Sequence, residues 1–109
     1  VAAFDAALAG GAATLDLTSL GDESADMSGL KMRALFARGK STNAAVITMA
    51  PAVADGYEFQ GADGQVQAHA DDLVRLYLGD NAPAVAAGAK DIALAGTGSE
   101  VLQLVMLFG

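Results

Sequence analysis

A chain of 109 residues with a net charge of −7, no cysteine and 53% hydrophobic residues is one domain with its own core, without a disulfide framework or a thiolate zinc site. Thirteen acids against six bases argue against nucleic acid as a partner, because phosphate binding needs a basic stripe. No stretch reaches the roughly 18 uncharged apolar residues of a membrane-spanning helix, the start lacks the basic region of a signal peptide, and Val1 reads as the residue left after removal of an initiator Met.

Residues 1–14 are rich in Ala and Gly with one aromatic, Phe4. Gly10-Gly11 stops any helix before it is long enough to stand alone, so this stretch reads as an N-terminal arm ordered only against something else, or as a frayed terminus. Leu15 and Leu17 alternate with Asp16 and Thr18 and open a first strand, which a polar loop at 21–28 breaks. Residues 30–38 form the clearest strand: Leu30, Met32, Ala34 and Phe36 are expected on one side, and Lys31, Arg33, Leu35 and Ala37 on the other. After a turn at 39–43, residues 44–50 carry the β-branched Val46, Ile47 and Thr48 and stop at Pro51, which has no ladder donor.

Asp55-Gly56 and Asp63-Gly64 are dipeptides that tight hairpin turns prefer, and they flank a short expected strand at 57–59. In 65–70, Val66, Ala68 and Ala70 are expected inward and Gln65, Gln67 and His69 outward. Residues 72–78 fit a strand by length, although Leu73, Leu76 and Tyr77 would share a face of a helix capped by Asp71-Asp72. Strands are expected again at 91–95 and 100–108. The last is largely apolar on both faces, with Leu102, Leu104, Met106 and Phe108 against Val101, Gln103, Val105 and Leu107, and so belongs in the middle of a sheet or under a neighbouring subunit. About eight short strands at roughly ten-residue spacing describe an all-β sandwich of the jelly-roll kind, with 1–14 as arm and 15–109 as a single domain.

Chemistry-bearing motifs fail one by one. Gly96-Thr97-Gly98 after an apolar strand resembles a dinucleotide turn, but the third glycine is replaced by Val101 and no βαβ unit follows. Gly39-Lys40-Ser41 resembles the end of a phosphate loop, yet Ala34 stands where that loop needs glycine. Asp22, Glu23 and Asp26 match no EF-hand spacing. His69 is the one candidate general base, lies on the polar side of its strand, and no serine (Ser19, Ser24, Ser28, Ser41 or Ser99) is singled out as its nucleophile. Asp71 and Asp72 would point to opposite faces of a strand. No catalytic residue, metal ligand or cofactor is therefore expected. Four of the six bases, Lys31, Arg33, Arg38 and Lys40, crowd into ten residues, either to dock on an acidic partner or as a solvated face paired with local acids.

The order of segments resembles small tailed-bacteriophage virion proteins of the capsid decoration, or cement, type. The resemblance rests on Leu15-Asp16-Leu17-Thr18-Ser19-Leu20 before a Gly/Asp/Ser loop and on a strand ending Phe36-Ala37-Arg38. It also rests on Asn81-Ala82-Pro83-Ala84-Val85 leading to Ile92-Ala93-Leu94-Ala95-Gly96-Thr97-Gly98-Ser99, and on a closing strand that runs to Gly109. Asp63-Gly64 or Asp71-Asp72 stands where such chains usually have a proline-glycine turn. The resemblance implies a non-enzymatic β-sandwich on the virion, at the capsid surface, with the major capsid protein as partner and a homotrimer as assembly. It implies neither nucleic acid nor membrane contact. A tail-associated virion protein, or a carbohydrate-binding adhesion sandwich using Tyr57, Phe59 and Tyr77, are the alternatives. The residues expected at the interface are Phe4, Lys31, Arg33, Arg38, Lys40, Leu104, Met106 and Phe108.

Overall fold

The structure, a computed structural model, describes residues 1–20 and 26–109. Among them the chain forms eight strands: β1 (Ala2–Ala7), β2 (Ala12–Asp16), β3 (Met32–Gly39), β4 (Ile47–Pro51), β5 (Val66–Ala68), β6 (Leu73–Tyr77), β7 (Asp91–Ala95) and β8 (Val101–Phe108). The pairings nest. β1 takes β8, β2 takes β7, β3 takes β6 and β4 takes β5, all antiparallel. The chain is thus one long hairpin doubled back at β4–β5 and then rolled, so that β3 also meets β8 and β4 also meets β7. Two four-stranded sheets result, β1-β8-β3-β6 and β2-β7-β4-β5, the strand order of a jelly roll.

Side-chain alternation builds the core between them. Leu102, Leu104 and Met106 of β8 and Leu35 and Ala37 of β3 face Leu15, Ile47, Met49, Ile92 and Leu94 from the other sheet, all buried. β7 and β8 fall where alternation puts them, and residues 72–78 form strand β6, with Val74 and Leu76 turned to the core. Residues 57–59 make only bridges, although Tyr57 and Phe59 are both buried. Ala70, expected inward, is exposed just past β5. Of the two expected hairpin dipeptides, only Asp55 has a left-handed backbone, with φ of 54°. Gly64 is needed for close approach instead, since a Cβ there would sit 2.5 Å from the Gln60 carbonyl oxygen.

Two expectations are corrected. Residues 1–14 are not an arm: they supply β1, the edge of one sheet, and most of β2, the edge of the other, with a turn at Gly10-Gly11 between them. Alanines and one Phe gave no strong strand signal, but Ala2, Phe4 and Ala6 lie opposite Met106, Leu104 and Leu102 and cover them. The alternation of β3 also changes phase. The register with β8 shifts between Met32 and Ala34, a bulge at Arg33. Met32 therefore shares the core with Leu35 and Ala37, while Phe36 is sent to the outer face.

Tyr57 locks one end of the roll. Its ring is fully buried, its hydroxyl donates to the Pro83 carbonyl at 2.7 Å, and it accepts from the Met32 N–H at 2.9 Å. Burial pushes the phenol above its ordinary value. Tyr57→Phe orphans both backbone groups and is expected to cost about 1–3 kcal/mol in urea unfolding. A group whose folded value is raised stabilises below its unfolded value, near pH 10, and that contribution is lost as the pH rises past it. Wild type should therefore lose part of its advantage over Tyr57→Phe in alkali; a constant difference at all pH values refutes this role. Deleting residues 1–7 uncovers β8 and should cost about 3 kcal/mol or more. An unchanged urea midpoint would return this segment to the status of an arm.

Candidate docking face

Directly opposed residues in a sheet share a face. The pairs Ala3–Val105, Val105–Phe36 and Phe36–Arg75 form one row on the outer side of sheet β1-β8-β3-β6. Asp5–Gln103, Gln103–Arg38 and Arg38–Leu73 form the next, and Leu107–Ala34 and Ala34–Tyr77 a third. This face is apolar across most of its width. Tyr77 is 74% and Leu73 48% exposed, and Val105 is also exposed. Phe36 meets Tyr77 edge to face, ring centroids 5.8 Å apart. Between Phe36 and Val105 of the first row and Asp5, Gln103, Arg38 and Leu73 of the second the face is hollowed, with a volume of about 410 Å³. The outer face of the other sheet differs. It carries Thr14, Thr48, Ala50, Gln67, Ala93 and Ala95, which are small or polar.

Two guanidiniums stand on the apolar face. Arg38 donates through Nε and Nη2 to the Gln103 side-chain oxygen at 3.0 and 2.8 Å, a neutral acceptor that leaves its charge uncompensated. Arg75 is exposed beside Phe36. Asp5 lies in the Arg38 row but beyond Gln103, two strands away, or about 10 Å. Among the described residues the ion pairs are elsewhere: Arg33 with Asp80, and Lys90 with Asp16 at 3.0 Å and Asp91 at 3.1 Å.

The expected interface residues separate into three groups. Leu104 and Met106 are buried in the core, and Phe4 and Phe108, opposite Leu104 and Met32, are half-buried and packed on it. Burial in the core corrects the place of Leu104 and Met106 at an interface, while Phe4 also borders the hollow. Lys31 and Arg33 sit at the Gly109 end, where Arg33 binds Asp80 and the carbonyls of Gly79 and Gly109. Its neighbour Lys31 pairs its backbone with Gly109 at 3.0 Å in both directions. Arg38 alone of the basic cluster lies on the apolar face; Lys40 is exposed just beyond the end of β3. The bulge at Arg33 and the Asp80 partner thus split what reads in sequence as one basic strand. Sequence reasoning missed Phe36, Leu73, Arg75 and Val105, and named Tyr77 only for stacking on a sugar. The signal was present in β6 and β8, whose two side-chain phases are both apolar.

The other candidates resolve into structural roles. His69 is exposed, and its carbonyl takes the Gly39 N–H at 3.0 Å where the chain crosses between sheets. Asp26 accepts from the Ser28 backbone and hydroxyl, while Asp22 and Glu23 lie outside the described residues. Among the described residues no three metal-ligating side chains gather. Tyr57 and Phe59 are buried and cannot stack on a sugar, which leaves Tyr77 alone of the adhesion aromatics. Thr97, Gly98 and Ser99, the would-be nucleotide turn, wrap a carboxylate of their own. Glu100 is 5% exposed and accepts from the Thr97 N–H at 3.0 Å, the Gly98 N–H at 2.8 Å and the Thr97 hydroxyl at 2.7 Å. Beside it the Asn43 amide mimics a strand partner, pairing with the N–H and carbonyl of Val101 at 2.9 Å each.

Comparison of the chain with protein-family models, with curated proteins and with solved structures found no match.

The Thr97 hydroxyl, followed by the Gly98 and Thr97 N–H groups, holds the Glu100 carboxyl down at about 2 from an ordinary 4.5. A depressed acid stabilises the fold above its unfolded value, and that contribution is lost as the pH falls from about 4.5 toward 2. Glu100→Gln should lower the melting temperature at neutral pH and flatten its decline over that acid window. An equally steep decline in the variant would assign the acid sensitivity to other carboxylates.

Proposed function

We propose that this chain is a virion structural protein of a tailed bacteriophage, a capsid decoration (cement) protein that binds the outer surface of the assembled head and stabilises it without catalysis. The observation that carries the reading is the exposed apolar face of sheet β1-β8-β3-β6, on a chain with no cysteine and a single histidine. Contiguous apolar surface on a small domain marks an interaction site. A jelly roll is an architecture that viral capsid and lectin domains use, and a fold alone does not choose between them. The burial of Tyr57 and Phe59 weighs against the lectin branch. The net charge of −7 suits a protein that must stay soluble at high copy number until it meets its shell. In this reading the major capsid protein is the partner, the docking face is the contact, and a homotrimer is assembled on the shell by its local threefold symmetry.

The test mixes the purified chain with mature heads of its own phage that lack it. Cryo-electron microscopy should then show added density on the outside of the shell, three copies around a local threefold axis, and the decorated heads should survive a higher temperature before releasing DNA. Val105→Asp should abolish the density while leaving the melting temperature of the free chain within a few degrees. Bare heads after incubation with the wild-type chain, or density confined to the tail, would overturn the head assignment; copies bound singly would overturn the trimer.

A further inference from the structure

The charge on the docking face says what lies on it. The chain carries thirteen acids and six bases, so a cation on its surface has an excess of carboxylates within reach. Arg33 and Lys90 use them. Among the described residues Arg38 and Arg75 have no such partner: they flank Phe36 on the apolar face, Arg38 braced by an uncharged amide and Arg75 open to solvent. Arginine on an apolar platform suits a carboxylate, because its planar fork makes charge-assisted paired hydrogen bonds and loses little hydration. A second copy stacked on the same face would set these guanidiniums against each other and join two chains of charge −7. Self-pairing through this face is therefore disfavoured.

We propose that this face binds an extended, acidic and apolar segment of a different protein. One apolar side chain fills the hollow between Phe36, Leu73 and Val105, and carboxylates on the same side of the segment are held by Arg38 and Arg75. Same-side residues of an extended chain are two positions apart, roughly 6.6 Å, which is also the step from Phe36 to Arg38 along β3. The segment therefore reads apolar, any residue, acid. This rests on the face assigned above and deepens that reading: it specifies the capsid contact as an acidic extended segment.

The probe is the heptapeptide Leu-Ser-Asp-Ser-Leu-Ser-Asp, blocked at both ends, titrated into the ¹⁵N-labelled full chain at low salt. Controls replace both Asp by Asn or by Lys. Amide shifts should cluster at Phe36, Arg38, Leu73, Arg75, Gln103 and Val105. The Asn peptide should bind about tenfold more weakly and the Lys peptide more weakly still, with the preference for Asp shrinking as salt rises. Arg38→Gln and Arg75→Gln should each weaken the Asp peptide about three- to tenfold and leave the Asn peptide unchanged, with otherwise superimposable spectra confirming the fold. The inference is overturned by shifts elsewhere, by no shifts at millimolar peptide, or by equal binding of the Lys peptide. Sedimentation revealing a peptide-free dimer whose shifts map to this face would overturn it too. Failure here with heads still decorated rejects the acidic segment alone; peptide binding with bare heads rejects the head assignment alone.

Discussion

The first sheet cannot exist until the last strand arrives. β8 lies between β1 and β3, and the register that joins it to β1 pairs Ala2 with Met106, almost the full length of the chain apart. Closing so long a loop costs entropy before any contact offsets it. The local turn from β4 to β5 and the neighbours β3 and β6 are cheaper to form, so completion of the roll waits on β8. That constraint explains the composition of β8. A strand that enters a sheet between two neighbours must be apolar on its inner side to meet the opposing sheet, and cannot spare polar groups for the ladder.

It also sets where charge can go. With the centre of the roll filled by Leu, Met, Ile and Tyr57, the charged groups among the described residues are left at turns, edges and the outer faces, where short-range partners hold several of them. Asp16 is kept ionised first by the Thr18 hydroxyl and backbone and then by Lys90. Asp80 is kept so by Arg33, and Glu100 by the turn that it organises. The ion pairs of Arg33 and Lys90 lie at the surface and contribute little to stability individually, but with the buried Glu100 turn they fix geometry at the ends of strands.

Strand existence was legible from alternation and turn residues because those signals are local. β7 falls on the expected residues, and β6 is a strand although its leucines also suit a helix. What was not legible depended on partners distant in sequence. Residues 1–14 look unstructured because alanine carries no β signal of its own, and only the row Met106, Leu104 and Leu102 makes Ala2, Phe4 and Ala6 a strand. The bulge at Arg33 is invisible in the sequence because nothing local marks it. Yet it reverses the facing of Leu35, Phe36 and Ala37, and with them the identity of the docking face. Part of the expected interface was misplaced for the same reason. Leu104 and Met106 were on the wrong side of a strand apolar on both sides, and the basic cluster was read as continuous across the bulge.

The two outer faces of the roll are the strongest internal comparison the molecule offers. Both belong to four-stranded sheets over one core, so packing demands the same of their inner sides and nothing of their outer ones. One outer face presents Thr, Ala and Gln, as solubility alone would produce. The other presents Leu73, Tyr77, Val105 and Phe36 with two guanidiniums that have no carboxylate partner among the described residues. Stability does not account for that asymmetry, since exposed apolar groups gain nothing in water, and solubility opposes it. The proposed partner would account for it, because burial of the face on docking would supply the apolar term and carboxylates on the partner would supply the opposing charge.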